Sequence, residues 1–241
     1  MRVKMTIAYN GANYFGSQIQ KETDQTVNGQ IEKALGLLQI DTKVQASGRT
    51  DRGVHASRQV IHFDLPLYWK DLNKLQDSLT RILPSDIAIR RMEQVDDTFH
   101  ARYSAKKRAY RYIISTQKAN PFLADIVTYV DVIDEKKIRE AIVLFEGEHD
   151  FENFKKSGSD TDSFVREIYK TGVYNHKGYT VLYFEANGFL RSQIRLMVGF
   201  LLKISDGTYT KEDLLSQLNV DKNFKLKPAP HQGLYLCNIK Y

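Results

Sequence analysis

The sequence has one cysteine, one tryptophan and five prolines in 241 residues. With Cys237 alone, no intrachain disulfide can form. Its apolar surroundings, Gly233-Leu-Tyr-Leu-Cys-Asn-Ile239, point to a buried structural thiol in a reducing compartment. No apolar run reaches the roughly 18 residues that a membrane-spanning helix needs. Met1 is followed by alternating strand-like residues rather than an apolar signal core. A cytoplasmic protein with no membrane partner is therefore expected. His55, His62, His100, His149, His176 and His231 show no paired ligand spacing, so no metal site is expected. Gly11 to Gly16 is not a phosphate loop, because no Lys-Ser/Thr follows the second glycine.

What is present is an ordinary core-forming composition. The hydrophobic fraction of 42% makes disorder an unsuitable default. Lys and Arg number 35 against 29 Asp and Glu, a formal charge of +6. That surplus is compatible with a polyanionic partner without requiring one. The length suits one large domain or two compact halves of about 100–120 residues.

Periodicity divides the chain into two similar halves. Val3, Met5 and Ile7 alternate with polar residues, predicting an opening strand with one buried face. Val27, Ile31, Ala34, Leu35 and Leu38 follow helical spacing, with Thr26 as the N-cap. Strands are expected at 44–46, 59–63 and 87–95. Between them Leu72, Leu75, Leu79 and Ile82 mark a helix that stops before Pro84. The second half predicts a strand at 110–115, a helix marked by Ile138, Ile142 and Phe145, and an antiparallel pair at 165–174 and 180–186. Helices at 188–204 and 210–218 and a closing strand at 234–239 complete it. The fold class is α+β, with two split β-α-β, ferredoxin-like halves. Their boundary is placed between residues 100 and 101. The long loops 10–25 and 146–164 are longer than a compact core needs, and such loops carry function.

The most informative stretch is Ala46-Ser-Gly-Arg-Thr-Asp-Arg-Gly-Val-His-Ala56. It sets a carboxylate, Asp51, between Arg49 and Arg52 in a loop that joins two strands. Gly48 and Gly53 permit backbone conformations that side chains forbid. A carboxylate so placed is a candidate nucleophile or base, although an ordinary surface ion pair has the same composition.

The stretch Gly48-Arg-Thr-Asp-Arg-Gly-Val-His55 closely resembles the catalytic motif of the tRNA pseudouridine synthase A family. The resemblance spans roughly residues 3–240. It continues in Phe99-His-Ala-Arg102 with Ser104-Ala105, Tyr110-Arg-Tyr112 and Gly147-Glu-His-Asp-Phe151. Asn187-Gly-Phe-Leu190 with Ile194-Arg195, and Gly233-Leu-Tyr-Leu236, complete the set in the same order. The resemblance implies a pseudouridine synthase fold with a mixed, mainly antiparallel central sheet, helices on one face, and an active-site cleft between the halves. It implies that uridine becomes pseudouridine in the anticodon stem-loop of tRNA, at positions 38 to 40. Asp51 would be the catalytic carboxylate and Arg195 its partner. Tyr110 would pack beside the target base, and Arg49 would meet the flipped-out nucleotide and the RNA backbone. No metal or organic cofactor is implied, and a homodimer is.

The reaction explains that inventory. Uridine inside a stem is out of reach and must first be extruded. Its N1–C1′ bond then breaks, the base turns, and C5 bonds to C1′. No atom is gained or lost.

Basic residues gather around these motifs. Between residues 98 and 124 stand Arg102, Lys106, Lys107, Arg108, Arg111 and Lys118, with no Asp or Glu. Interleaved aromatics make this a strip able to meet phosphates and stack on bases. Tyr112 is read as core packing. Arg191 and Arg195 stand four apart on the expected 188–204 helix, which places them on one side. Arg52, Arg102, Lys106, Lys107, Arg108 and Arg191 are therefore the candidate RNA contacts.

Four residues depart from the family pattern: Asn10, Ser17, Arg52 and Gln193. They are expected near RNA-contacting surfaces, where they would affect substrate range more than reaction type. A different class of function is an RNA-binding or RNA-chaperone protein of the same fold with lost or narrowed activity. A metal-dependent nuclease would need a carboxylate cluster that the sequence does not provide.

Overall fold

The structure, a computed structural model, describes residues 1–156 and 163–241. Two compact units result: Met1–Lys106 with Tyr235–Tyr241, and Lys107–Leu234. The expected halves, 1–100 and 101–241, differ from these units at residues 101–106 and at the closing strand. The reason is strand pairing, which returns the end of the chain to the first unit.

In the first unit, β1 (Arg2–Tyr9) lies between β3 (His55–Asp64) and β4 (Ile87–Gln94), antiparallel to both. β2 (Gln45–Ala46) pairs antiparallel with the far end of β3, at His62 and Ile61. The order β4-β1-β3-β2 is that of a split β-α-β unit. The last strand, β10 (Leu234–Lys240), runs parallel to the start of β3, with Tyr235 opposite His55 and Leu236 opposite Ala56. The strict alternation of β1 buries Val3, Met5, Ile7 and Tyr9 on one face.

Helix α1 (Val27–Leu37) begins as its sequence predicts, with Thr26 Oγ1 accepting from the Gly29 amide. Helix α2 (Leu72–Ile82) is capped by Asp71, buries Leu75 and Leu79, and stops before Pro84.

The second unit is built on β5 (Lys107–Ser115), β9 (Tyr179–Ala186), β8 (Val165–His176) and β7 (Gly147–Asp150), all antiparallel neighbours. β6 (Thr128–Tyr129) adds a short parallel pairing to β5. Helix α3 (Glu135–Ile142) continues through a 3₁₀ turn at Val143–Phe145, and α5 (Lys211–Leu218) starts in a Thr210–Asp213 capping box.

Helix α4 spans Gln193–Ser205 rather than 188–204. Ser192 takes φ 59°, a left-handed conformation that cannot belong to the helix, so residues 188–192 stay outside it. The expected loop 146–164 contains β7 and a 3₁₀ turn at Glu152–Phe154, and its residues 157–162 lie outside those described. Phe145, Phe151 and Phe154 order this stretch by burying three rings against one another. Cys237 is buried, and no helix among the described residues is long and apolar enough to cross a membrane.

One buried imidazole ties the 99–103 segment to β3. His62 Nδ1 accepts from the Ala101 amide at 3.1 Å, and its ring lies 4.7 Å from that of His100. Burial, aided by the neighbouring His100 and Arg2, lowers His62 from 6.5 to about 4. His100 is lowered too, by burial and by Arg2 and Arg102. Between those limits the unfolded chain binds more protons than the native one. Stability from His62 is therefore full above about 6.5 and is lost as pH falls through about 4. Urea unfolding at about pH 7 and about pH 4.5 should show the protein weakening in acid, and His62→Gln should lessen the difference. An equal acid loss in wild type and His62→Gln would contradict the assignment.

Candidate functional site

The Asp51 loop is held from below by its own backbone and by the 11–17 loop. Thr50 points inward and is 6% exposed, while Arg49 and Arg52 on either side are exposed and Asp51 is half-buried. That alternation leaves both arginines exposed on an anchored turn, with Asp51 between them only partly covered. The anchor is a reciprocal pair of bonds. The Ser17 amide donates to the Thr50 carbonyl at 3.1 Å, and the Thr50 amide donates to Ser17 Oγ at 2.9 Å. Tyr9 Oη lies 2.8 Å from Thr50 Oγ1. Burial pushes the Tyr9 phenol up to about 12, so it meets Thr50 as a neutral hydroxyl.

Two further bonds close the loop. The Gly53 amide donates to the Tyr14 carbonyl at 3.3 Å, and the Val54 amide donates to the Asp51 carbonyl at 3.1 Å. Upstream, Gln59 Nε2 donates to the Gly48 carbonyl at 2.8 Å, and Ser47 Oγ donates to Gln59 Oε1 at 2.5 Å. Gln59 is fully buried in β3, so its amide is committed to this loop.

Glycine is required where the two loops touch. Gly16 adopts φ +106°, and a Cβ there would stand 2.8 Å from the Thr50 carbonyl oxygen. A Cβ on Gly11 would fall 2.0 Å from the Val54 carbonyl oxygen. The Gly11 amide instead donates to His55 Nδ1 at 3.0 Å, and the His55 ring stacks on Tyr235 with centroids 4.6 Å apart. On its other side the 15–17 loop meets the start of α1. The Gly16 and Ser17 carbonyls accept from the Val27 and Asn28 amides at 3.2 and 3.0 Å, satisfying orphan donors of the helix N-terminus.

The four departures from the family pattern take up different positions. Ser17 and Gln193 are buried, 1% and 0% exposed, so neither is on a surface where RNA could touch it. Ser17 holds Thr50, and Gln193 Oε1 accepts from the Leu190 amide at 2.7 Å just ahead of α4. Asn10 is exposed and turns the backbone through an Oδ1 bond to the Ala12 amide at 3.1 Å. Arg52 is exposed over the Phe15 ring.

The remaining candidates divide between the units. Arg102 and Lys106 are exposed in the first, where the Arg102 guanidinium lies 5.5 Å from the Tyr103 ring centroid. In the second, Tyr110 and Tyr112 both face inward on β5. Tyr112 is wholly buried, its hydroxyl shared between Thr128 Oγ1 and the Pro230 carbonyl at 2.8 Å each. Tyr110 is 8% exposed and receives the edge of Phe189 at 5.3 Å.

Two expectations change in the second unit. The window 98–124 is acid-free in sequence, yet Lys107 Nζ lies 3.5 Å from Glu185, which β9 brings opposite Ala109. Arg108 Nη1 donates to the Asn187 carbonyl at 2.9 Å. Arg191 precedes α4, so it does not share a helical face with Arg195. Its carbonyl accepts from the Lys156 amide at 3.0 Å. Arg195 is half-buried, and its Nε donates to the Ala229 carbonyl at 2.7 Å while the Ala229 amide donates back to the Arg195 carbonyl at 2.8 Å.

Sequence reasoning missed Gln59 and Phe15, and it set Ser17 on an RNA-contacting surface rather than in the anchor. Gln59 carried a signal, since a polar side chain beside Val60 and Ile61 at the inward phase of a strand needs an internal partner.

The chain is similar to known proteins over nearly its whole length. The family model described as tRNA pseudouridine synthase matches residues 5–104 and 141–241. A tRNA pseudouridine synthase A from Wolinella succinogenes is 42% identical over 235 residues, covering 98% of this chain and 92% of that protein. The protein of that name from Helicobacter hepaticus is 37% identical, with 99% and 98% of the two chains covered. One from a Geobacillus species is 38% identical, with 100% and 98% covered. The matched residues include the clamped loop of Asp51 and the helix of Arg195: the chain belongs to the tRNA pseudouridine synthase family.

Proposed function

We propose that this protein converts uridine to pseudouridine in tRNA, at positions 38 to 40 of the anticodon stem-loop, with Asp51 as the catalytic carboxylate. The observation that carries the reading is the placement of Asp51. It is half-buried on a turn whose backbone is fixed from beneath, with exposed arginines before and after it. A fixed carboxylate beside cations suits a reaction whose substrate arrives on a polyanion and whose reacting atom must be met in one geometry.

The chemistry is an isomerisation. The N1–C1′ bond breaks and a C5–C1′ bond forms. C5 loses a proton and N1 gains one, so no redox partner or group donor is needed. The carboxylate acts either by adding to the sugar or by taking a proton from it, and on both routes the detached base must be retained until it rebonds. Arg49 meets the extruded nucleotide and its backbone. Tyr110 packs beside the base, and Arg195 orients the carboxylate. Arg52, Arg102, Lys106, Lys107, Arg108 and Arg191 contact RNA phosphates. We place the enzyme in the cytoplasm as a homodimer acting on one tRNA. What supports these roles is the match of motifs in order and spacing.

Pseudouridine mapping of tRNA incubated with the purified protein tests the reading. New pseudouridine at positions 38 to 40 is expected, and modification only elsewhere would reassign the target. Asp51→Asn should fold and bind tRNA but form no pseudouridine, because the amide is a poor nucleophile and base. Turnover by that variant would refute the role of Asp51. Arg195→Met should slow turnover by about a hundredfold, and Arg195→Lys should recover only part, since an ammonium lacks the planar fork. Full turnover by Arg195→Met, measured at saturating tRNA, would move Arg195 to backbone binding.

A further inference from the structure

Beside the Asp51 loop lies an open groove of about 500 Å³ whose lining includes Asn13, Phe15, Gln25, Gln30, Arg52 and Asp86. Phe15 is 40% exposed, and the Arg52 guanidinium carbon lies 4.4 Å from its ring centroid. Phe15 directly precedes Gly16, which abuts Thr50, and Arg52 directly follows Asp51. The groove thus includes the residue that follows Asp51 in sequence.

The backbone that carries the exposed ring is held in place. The Phe15 amide donates to the Gln25 carbonyl at 3.0 Å, and its own carbonyl accepts from Gln20 Nε2 at 2.6 Å. A loop backbone fixed in this way loses little freedom on binding. The one acid in the groove is occupied: Asp86 accepts from the Tyr14 hydroxyl and, at 3.4 Å, from Asn13 Nδ2.

We infer that this groove binds a nucleotide of the substrate RNA next to the extruded uridine. The base stacks on the Phe15–Arg52 pair, and the same guanidinium reaches the adjoining phosphate. The inference rests on the proposed activity on RNA and adds a subsite to it. Stacking on an aromatic tolerates any base, so the groove holds the strand without selecting its sequence.

The test compares wild type, Phe15→Ala, Phe15→Leu, Phe15→Trp and Arg52→Ala. Filter binding of tRNA over a salt series is measured together with the kinetics of pseudouridine formation. Phe15→Ala and Phe15→Leu should each weaken tRNA binding about tenfold, and Phe15→Trp should keep it. The loss should fall on KM rather than kcat. The salt slope should persist in the Phe15 variants and drop by about one in Arg52→Ala, because only Arg52 releases a counterion. Wild-type affinity in Phe15→Leu would show that the ring merely fills space, and wild-type affinity in Phe15→Ala would show that no base lies there. Either result overturns the subsite. A wild-type protein that binds tRNA through Phe15 yet forms no pseudouridine overturns the activity and leaves the subsite standing. Normal modification with a Phe15-independent KM overturns only the subsite.

Discussion

The reciprocal hydrogen bonds between Ser17 and Thr50 are the constraint on which the rest of the first unit's chemistry depends. Each residue gives its amide to the other, one through a carbonyl and one through a hydroxyl. They join two loops that separate in sequence by a helix and a strand. A loop bearing a reactive carboxylate has few neighbours to fix it, and an Ångström of drift costs rate. Here the residue before Asp51 is pinned, so the carboxylate proposed to react stands on backbone tied to its neighbours.

That clamp is sustained by packing beneath it. Tyr9 closes β1 and meets Thr50, Gln59 reaches from β3 to the Gly48 carbonyl, and His55 takes the Gly11 amide while stacked on Tyr235. A bond of this kind contributes only about 1 kcal/mol net, but leaving its buried partner unmade costs about 1–3 kcal/mol. The set therefore acts by forbidding alternatives. The parallel return of β10 onto β3 completes the arrangement, since Tyr235 comes from the far end of the chain. Stability and site geometry share the same residues, and the charged groups remain on the outside. In the second unit Arg195 is treated alike, its Nε held by the strap carbonyl of Ala229.

Regular elements were legible because their signals are periodic and local. The alternation of Val3, Met5 and Ile7, the Thr26 cap and the stop before Pro84 each act within a few residues. The family motif around Asp51 was legible for the same reason. What could not be read depended on distant partners or on a single backbone angle. Nothing local announces that Ser192 turns left-handed, so the helix was extended backward and Arg191 was placed on it. The acid-free window around Lys107 hid Glu185, which only the β5–β9 register brings near. Ser17 looked like a surface change and is a buried clamp, because its function lies in a residue 33 positions away. The groove at Phe15 likewise needs four segments brought together.

Amide hydrogen exchange at Ser17, Thr50 and Gly53 tests the clamp most directly. In a sheet-anchored loop these protons exchange only through large-scale opening, with protection close to that of β1 and β3. The account predicts that slow exchange, and it predicts that Ser17→Ala selectively speeds exchange at Thr50, whose acceptor is gone. Exchange at wild-type Thr50 and Ser17 as fast as in an unprotected loop would contradict it, for Asp51 would then stand on a mobile turn and its geometry would have to come from elsewhere.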